Sequence, residues 1–203
     1  MDNPICLVNK SNSIKIIMIG DSGVGKTCIC NRIINNKYDK HTPSTIGAHF
    51  FTKVVPYKDE NIILNFWDTA GQERFRSLIN LYFRGSDVVL LVFDLTEPDS
   101  LNNIDEWYSK INENNIEKPY ILLIGNKYDM VSQILYNDIQ KYIYKYNIDY
   151  LPVSAKNGYN ILNIITKILN NKGDMILKKP KNISQNNNNN SYFKIFNKFL
   201  CSY

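Results

Sequence analysis

Two kinds of apolar pattern alternate along this chain. A short β-branched run occurs at residues 14–19, and continuous apolar runs at 88–93 and 120–124. Runs of this length predict strands covered on both faces by helices. Residues 50–57 and 62–67 also read as strands, and Lys58-Asp59-Glu60-Asn61 between them predicts a hairpin, which makes that pair antiparallel. Elsewhere the period lengthens. Leu101, Ile104, Trp107, Tyr108 and Ile111 recur at helical spacing in a helix expected to start near Asp99. Further helices are expected at 28–34, broken by Asn35-Asn36-Lys37, and at 134–146 and 161–169, with a short strand at 150–153 between the last two. Strands alternating with helices, plus one antiparallel edge, predict an α/β fold with a mostly parallel, doubly wound sheet and flanking helices.

Length changes this picture little: 203 residues suit one α/β domain with a tail. The expected division is an N-terminal extension over 1–11, a domain over 12–172, and a flexible Lys/Asn-rich tail over 173–203 that contains the asparagine run 186–190. Charge changes it more. The formal net charge is +5, and the tail alone carries +4 of it. A nearly neutral domain argues against nucleic-acid binding through a broad basic face. The basic tail instead suits an anionic membrane surface. No apolar run is long enough for a transmembrane helix, and no cleaved secretory signal is expected at the N-terminus. Cys6, Cys28, Cys30 and Cys201 lack metal-ligand spacing and read as small residues in a reducing compartment.

Chemistry enters with Gly20-Asp21-Ser22-Gly23-Val24-Gly25-Lys26-Thr27. This is the P-loop pattern G-x-x-x-x-G-K-[ST], between a predicted strand and a predicted helix as it must be. Its glycines let backbone N–H groups turn inward around phosphate oxygens, and the helix N-terminus adds a favourable dipole. Lys26 is placed to bridge β- and γ-phosphates and the Thr27 hydroxyl to ligate Mg²⁺. Two later loops select the base. Asn126-Lys127-Tyr128-Asp129 follows a buried strand, and the Asp129 carboxylate can accept a pair of hydrogen bonds from guanine N1–H and its exocyclic amine. Adenine lacks that donor pair, so a buried Asp129 would be left unpaired against ATP. Asn126 can tie this loop to the P-loop while the Lys127 stem covers the ring. In Ser154-Ala155-Lys156, after the last strand, the Ala155 N–H is placed to donate to guanine O6.

Taken with Trp67-Asp68-Thr69-Ala70-Gly71-Gln72-Glu73-Arg74-Phe75 and Ser44-Thr45-Ile46-Gly47, these motifs resemble those of the Ras-like small GTPases over roughly residues 12–172, and of Rab proteins in particular. The resemblance implies a P-loop NTPase fold and a GTP/GDP switch in vesicle traffic. It extends the nucleotide contacts to Asp21, Ser22, Gly23, Val24, Gly25, Cys28 and Tyr38. It places Thr45 on Mg²⁺ and the γ-phosphate, Asp68 on Mg²⁺ through water, Gly71 N–H on the γ-phosphate, and Gln72 on the attacking water. It also implies an exchange factor, a GTPase-activating protein and effectors at the switch regions, and a monomer on the cytosolic faces of endomembranes. No finger-like arginine is assignable, so intrinsic hydrolysis is expected to be slow. Phe50, Trp67 and Tyr82 match an aromatic trio that Rab proteins present to effectors, although Trp67 also reads as a core residue.

The chain departs from that pattern at His49, at 81–86 and at its end. A single cysteine in Cys201-Ser202-Tyr203 fits no standard prenylation signal. Phe193, Phe196 and Leu200 share one helical face beside Lys194 and Lys198, which reads either as a short interfacial anchor or as a tail with incidental aromatics. Two other functions compete: a nucleotide-dependent scaffold with negligible turnover, and an ATP-dependent P-loop kinase. Lys26, Thr45 and Gln72 together argue against the first, and residues 126–129 against the second.

Overall fold

Strand β1 (Ser13–Ile19) sits inside a six-stranded sheet of order β2-β3-β1-β4-β5-β6. The computed structural model describes residues 12–71, 82–114 and 118–178. Around β1 lie β2 (Ala48–Tyr57), β3 (Glu60–Thr69), β4 (Val88–Asp94), β5 (Tyr120–Asn126) and β6 (Asp149–Pro152). Helices with both ends among the described residues are α1 (Lys26–Asn35), α2 (Pro98–Asn102), α3 (Ile104–Asn114), α4 (Tyr136–Tyr146), α5 (Ile161–Ile168) and α6 (Asp174–Lys178). Every neighbouring pair is parallel except β2 and β3.

The continuous apolar runs divide between two cores because successive strand side chains point to opposite faces. Ile14, Ile16 and Met18 of β1, with Val88, Leu90 and Val92 of β4, pack under α1 and α5. Ile17 and Ile19, with Val89, Leu91 and Phe93, pack under Trp107, Ile104 and Ile111 of α3 and Ile139 of α4. A doubly wound sheet therefore needs unbroken apolar strands at its centre. Edge strand β2 has only half its residues turned inward and accommodates Pro56, whose missing N–H is tolerable at an edge.

Most element ends fall within two residues of the sequence-based expectation, and three departures from it carry a physical lesson. The β2–β3 ladder continues to Tyr57↔Glu60, so the turn is only Lys58-Asp59, with Lys58 in the left-handed region at φ 54°. The helix expected from Asp99 breaks at Asn103, whose side chain donates to Asp21 Oδ2 at 2.7 Å. A tertiary contact has overridden a continuous helical pattern there. At the other end, α5 runs through a π-helical turn, Leu169–Gly173, into α6, and so passes the boundary expected at 172. Ile176 is buried, and the Asp174 carboxylate accepts hydrogen bonds from Tyr57 Oη at 2.9 Å and Lys58 Nζ at 2.6 Å. Residues 173–178 are thus fastened to the β2–β3 hairpin rather than belonging to the tail. Among the described residues, no helix is long and apolar enough to cross a membrane. Cys28 and Cys30 are free thiols on different faces of α1, and burial pushes the Cys30 thiol far up from its ordinary range.

Candidate functional site

Loops gather at the carboxyl ends of the parallel strands, where open α/β sheets bind ligands. They enclose a cleft of about 660 Å³. Ser22, Gly23, Gly25, Lys26, Thr27 and Cys28 line one end of it, and Asn126, Lys127, Asp129, Ala155 and Lys156 line the other. Tyr38, Thr45 and Gly71 close the side. Four predicted residues, Asp21, Val24, Asp68 and Ser154, are not part of the wall and act from behind it. Gln72, expected to orient the attacking water, Arg74 and residues 179–203 lie outside the described residues.

The phosphate-type end is built on backbone. Lys26 opens α1 and is 5% exposed; its Nζ donates to the carbonyls of Gly20 at 2.8 Å and Asp21 at 2.7 Å. Burial lowers its pKa to about 8, opposed in part by Asp68 and Asp21. The loops press together closely enough to require glycine. A Cβ on Gly71 would stand 2.4 Å from the Asp21 carbonyl carbon and 2.5 Å from Lys26 Nζ, and one on Gly25 would stand 2.3 Å from Asn126 Nδ2. The Asp21 side chain turns away from the cleft: its carboxylate accepts from Asn103 Nδ2 at 2.7 Å and from Trp107 Nε1 at 2.8 Å. Any contact Asp21 makes with a ligand is therefore through its backbone.

Behind Thr27 several oxygen ligands gather in an arrangement suited to a cation. The Thr27 and Thr45 hydroxyls are 2.9 Å apart, and Thr45 Oγ1 stands 3.5 Å from Asp68 Oδ2, the outer limit of a hydrogen bond. Asp68 is fully buried, and its Oδ1 is a buried polar atom with no hydrogen-bond partner in the described structure. Burial raises the Asp68 carboxyl, while the Thr27 hydroxyl and Lys26 pull it back down. Among the described residues no group of three or more His, Cys, Asp or Glu could hold a metal. Two hydroxyls and one carboxylate instead fit a hard cation that completes its shell with water and phosphate oxygens, which is the habit of Mg²⁺.

The base-type end is built on side chains. Asn126 is buried; its Nδ2 donates to the Val24 carbonyl at 2.8 Å, and its Oδ1 accepts from Ala155 N–H at 3.2 Å. One amide thus joins the P-loop to both later loops. The Ala155 contact is long, and the same N–H can be shared with a second acceptor. Ser154 Oγ donates to Asp129 Oδ1 at 2.6 Å, and Lys156 Nζ lies 3.5 Å from Asp129 Oδ2. Lys127 adopts φ 65° and pairs its ammonium with the buried Asp94. The motifs did not reveal Arg32, which donates from Nε to the Ala155 carbonyl at 2.9 Å and from Nη2 to the Lys156 carbonyl at 2.6 Å. Its only sequence signal is a cation in the last turn of the P-loop helix. Lys40, Thr42 and Met130 also line the cleft without having been predicted.

Outside the cleft, the aromatic trio does assemble. Phe50 and Trp67 have ring centroids 5.0 Å apart, and Trp67 and Tyr82 5.3 Å. Trp67 also packs against the α3-side core, as its core reading expected, whereas Phe50 is half exposed.

Comparison with known proteins adds a family to this geometry. The sequence model of the Ras family matches residues 15–173. The chain is 37% identical over 165 residues to Ras-related protein SEC4 of Saccharomyces cerevisiae, covering 79% of this chain and 77% of that one. It is 38% identical over 149 residues to GTP-binding protein ypt1 of Schizosaccharomyces pombe and 39% identical over 149 to Ras-related protein Rab-1D of Dictyostelium discoideum, covering 72% of this chain and 73% of each relative.

Proposed function

From the premise that this chain belongs to the Ras family and is a Rab-like small GTPase, we propose a membrane-traffic switch that holds its nucleotide through the residues assembled above. The observation that carries this reading is the Asn126 amide, bonded to Val24 on one side and Ala155 on the other, with Asp129 held beside it at the cleft wall. Lys26 and the P-loop amides neutralise the phosphates. Asp129 selects guanine by accepting from N1–H and the exocyclic amine, and Lys127 and Tyr38 flank the ring.

Thr27, Thr45 and Asp68 would hold Mg²⁺, which when bound offsets charge on the β- and γ-phosphates. Thr45 and Gly71 tether two loops to the γ-phosphate by their backbone N–H groups, so loss of that group releases both together. These loops are already joined in one place, where Ala70 N–H donates to the Gly47 carbonyl at 2.8 Å. Gln72 orients the attacking water. An activating protein supplies the missing arginine, an exchange factor opens the site, and effectors read Phe50, Trp67 and Tyr82. Residues 12–172, with the helix that continues to Lys178, form the switch domain. The lysines beyond it contact anionic cytosolic membrane surfaces peripherally.

The test is Gln72→Leu in the full chain. Affinity for GDP and GTP stays near wild type, while activator-stimulated hydrolysis falls about 10³-fold or more. Hydrolysis at the stimulated wild-type rate would assign the water to another residue.

A further inference from the structure

Each functional loop at the base-type end is short, and two of its groups lean on a residue outside the cleft wall. Arg32 is half buried in the last turn of α1 and does not line the cleft. Its guanidinium donates to three carbonyls: Nε to Ala155 at 2.9 Å, Nη2 to Lys156 at 2.6 Å, and Nη1 to Asn36 at 2.9 Å. Two successive carbonyls of the Ser154-Ala155-Lys156 loop are thus gripped by one rigid fork. On the opposite side of Ala155, its N–H is held by Asn126 Oδ1. The residue is pinned at both ends of its backbone.

The consequence is geometric. Lys26, at the phosphates, and Arg32, at the base loop, sit on the same helix, so α1 fixes their spacing at about 1.5 Å per residue. A planar guanidinium with several donors can hold two carbonyls at set angles; an ammonium cannot. We propose that Arg32 is a specificity-determining positioning residue, which sets the Ala155 N–H against the 6-position acceptor of the base without touching the nucleotide. This rests on the guanine reading above. It predicts that Arg32 matters only where a strong acceptor stands at the 6-position.

The experiment measures dissociation constants of GDP, IDP and 6-thio-GDP for the full-length wild type, Arg32→Gln and Arg32→Lys, with ADP as the reference for base choice. IDP keeps the 6-oxygen; 6-thio-GDP replaces it with a weakly accepting sulfur. Both variants are expected to lose about tenfold for GDP and IDP, the scale of one charge-assisted hydrogen bond, and less than about twofold for 6-thio-GDP. The lysine variant recovers little, because charge alone does not orient the loop. Ratios taken within one variant are independent of how much of it folds. Equal losses for all three nucleotides, or no loss for any, overturn the proposal while leaving guanine preference intact. A wild type that binds ADP as tightly as GDP would instead sink the guanine reading, and the positioning role with it.

Discussion

The two ends of the cleft are held by different materials. At the phosphate-type end a buried lysine bonds backbone carbonyls and glycines allow loops to touch. At the base-type end the contacts run through the side chains of Asn126, Asp129, Ser154 and Arg32. Backbone donors recognise any phosphate, so on the proposed reading the first end sets affinity without choosing a base. On that reading the side chains carry the discrimination, and each one is replaceable. Substitutions at the two ends should therefore separate affinity from selectivity.

The largest effect is expected at Asp129. In Asp129→Asn the amide presents a donor to guanine's donors, so GDP affinity should fall roughly 10²–10³-fold while XDP gains. Competition of labelled GDP by XDP and ADP measures it; unchanged selectivity would show that the base end is not where the base is read. Lys26→Met should lower affinity for GDP and XDP alike, by about 10²-fold, leaving their ratio alone. It should also remove a pH dependence. The folded lysine titrates near 8 and the unfolded one at its ordinary 10.5, so between these values only the unfolded chain holds the proton. Stability of the nucleotide-free protein should therefore rise with pH across that window, and be lower below it. Phosphates favour the ammonium, so GDP affinity should fall as pH rises past 8, by at most about tenfold per unit. Calorimetry at pH 7.5 and 9 should show both trends in the wild type and neither in the variant.

Smaller effects sharpen the same contrast. Asn103→Ala removes one of two donors from the Asp21 carboxylate, and GDP release should quicken about fivefold with base selectivity unchanged. A change in the GDP-to-XDP ratio would show that α3 reaches the base end as well. Ser154→Ala, least of all, should weaken GDP by about three- to fivefold, because Asp129 keeps its Lys156 partner. Stopped-flow exchange of a fluorescent nucleotide resolves both.

Legibility in the sequence follows the same division. Every strand of the sheet was readable from the sequence, the central ones from their apolar runs, because period and length are local properties. The break at Asn103 and the run to Lys178 were not, since both depend on partners far away: Asp21 is 82 residues from Asn103, and Tyr57 is 117 from Asp174. Among the site residues, those in motifs were legible because phosphate and base impose fixed spacing on them. Asp21 was assigned to the ligand by its place in the motif, whereas its side chain is taken up by Asn103 and by Trp107 of α3. Arg32 and Trp107 carried no motif, since what they hold is protein, and protein partners impose no spacing that a single chain reveals. Gln72 lies outside the described residues and keeps its role on resemblance alone.

The Asn126 junction also has a meaning for the order in which the chain is made. Its partners Val24 and Ala155 are separated from it by 102 and 29 positions, and Arg32 by 123 positions from the carbonyl it holds. The P-loop leaves the ribosome well before these neighbours, which follow it by about 130 residues. Until residue 156 has emerged, the nascent protein can offer a nucleotide phosphate contacts and no base-reading wall. Capture of a base therefore waits on those later loops, and the glycine loop stays in an unfinished chain for about 130 residues of translation.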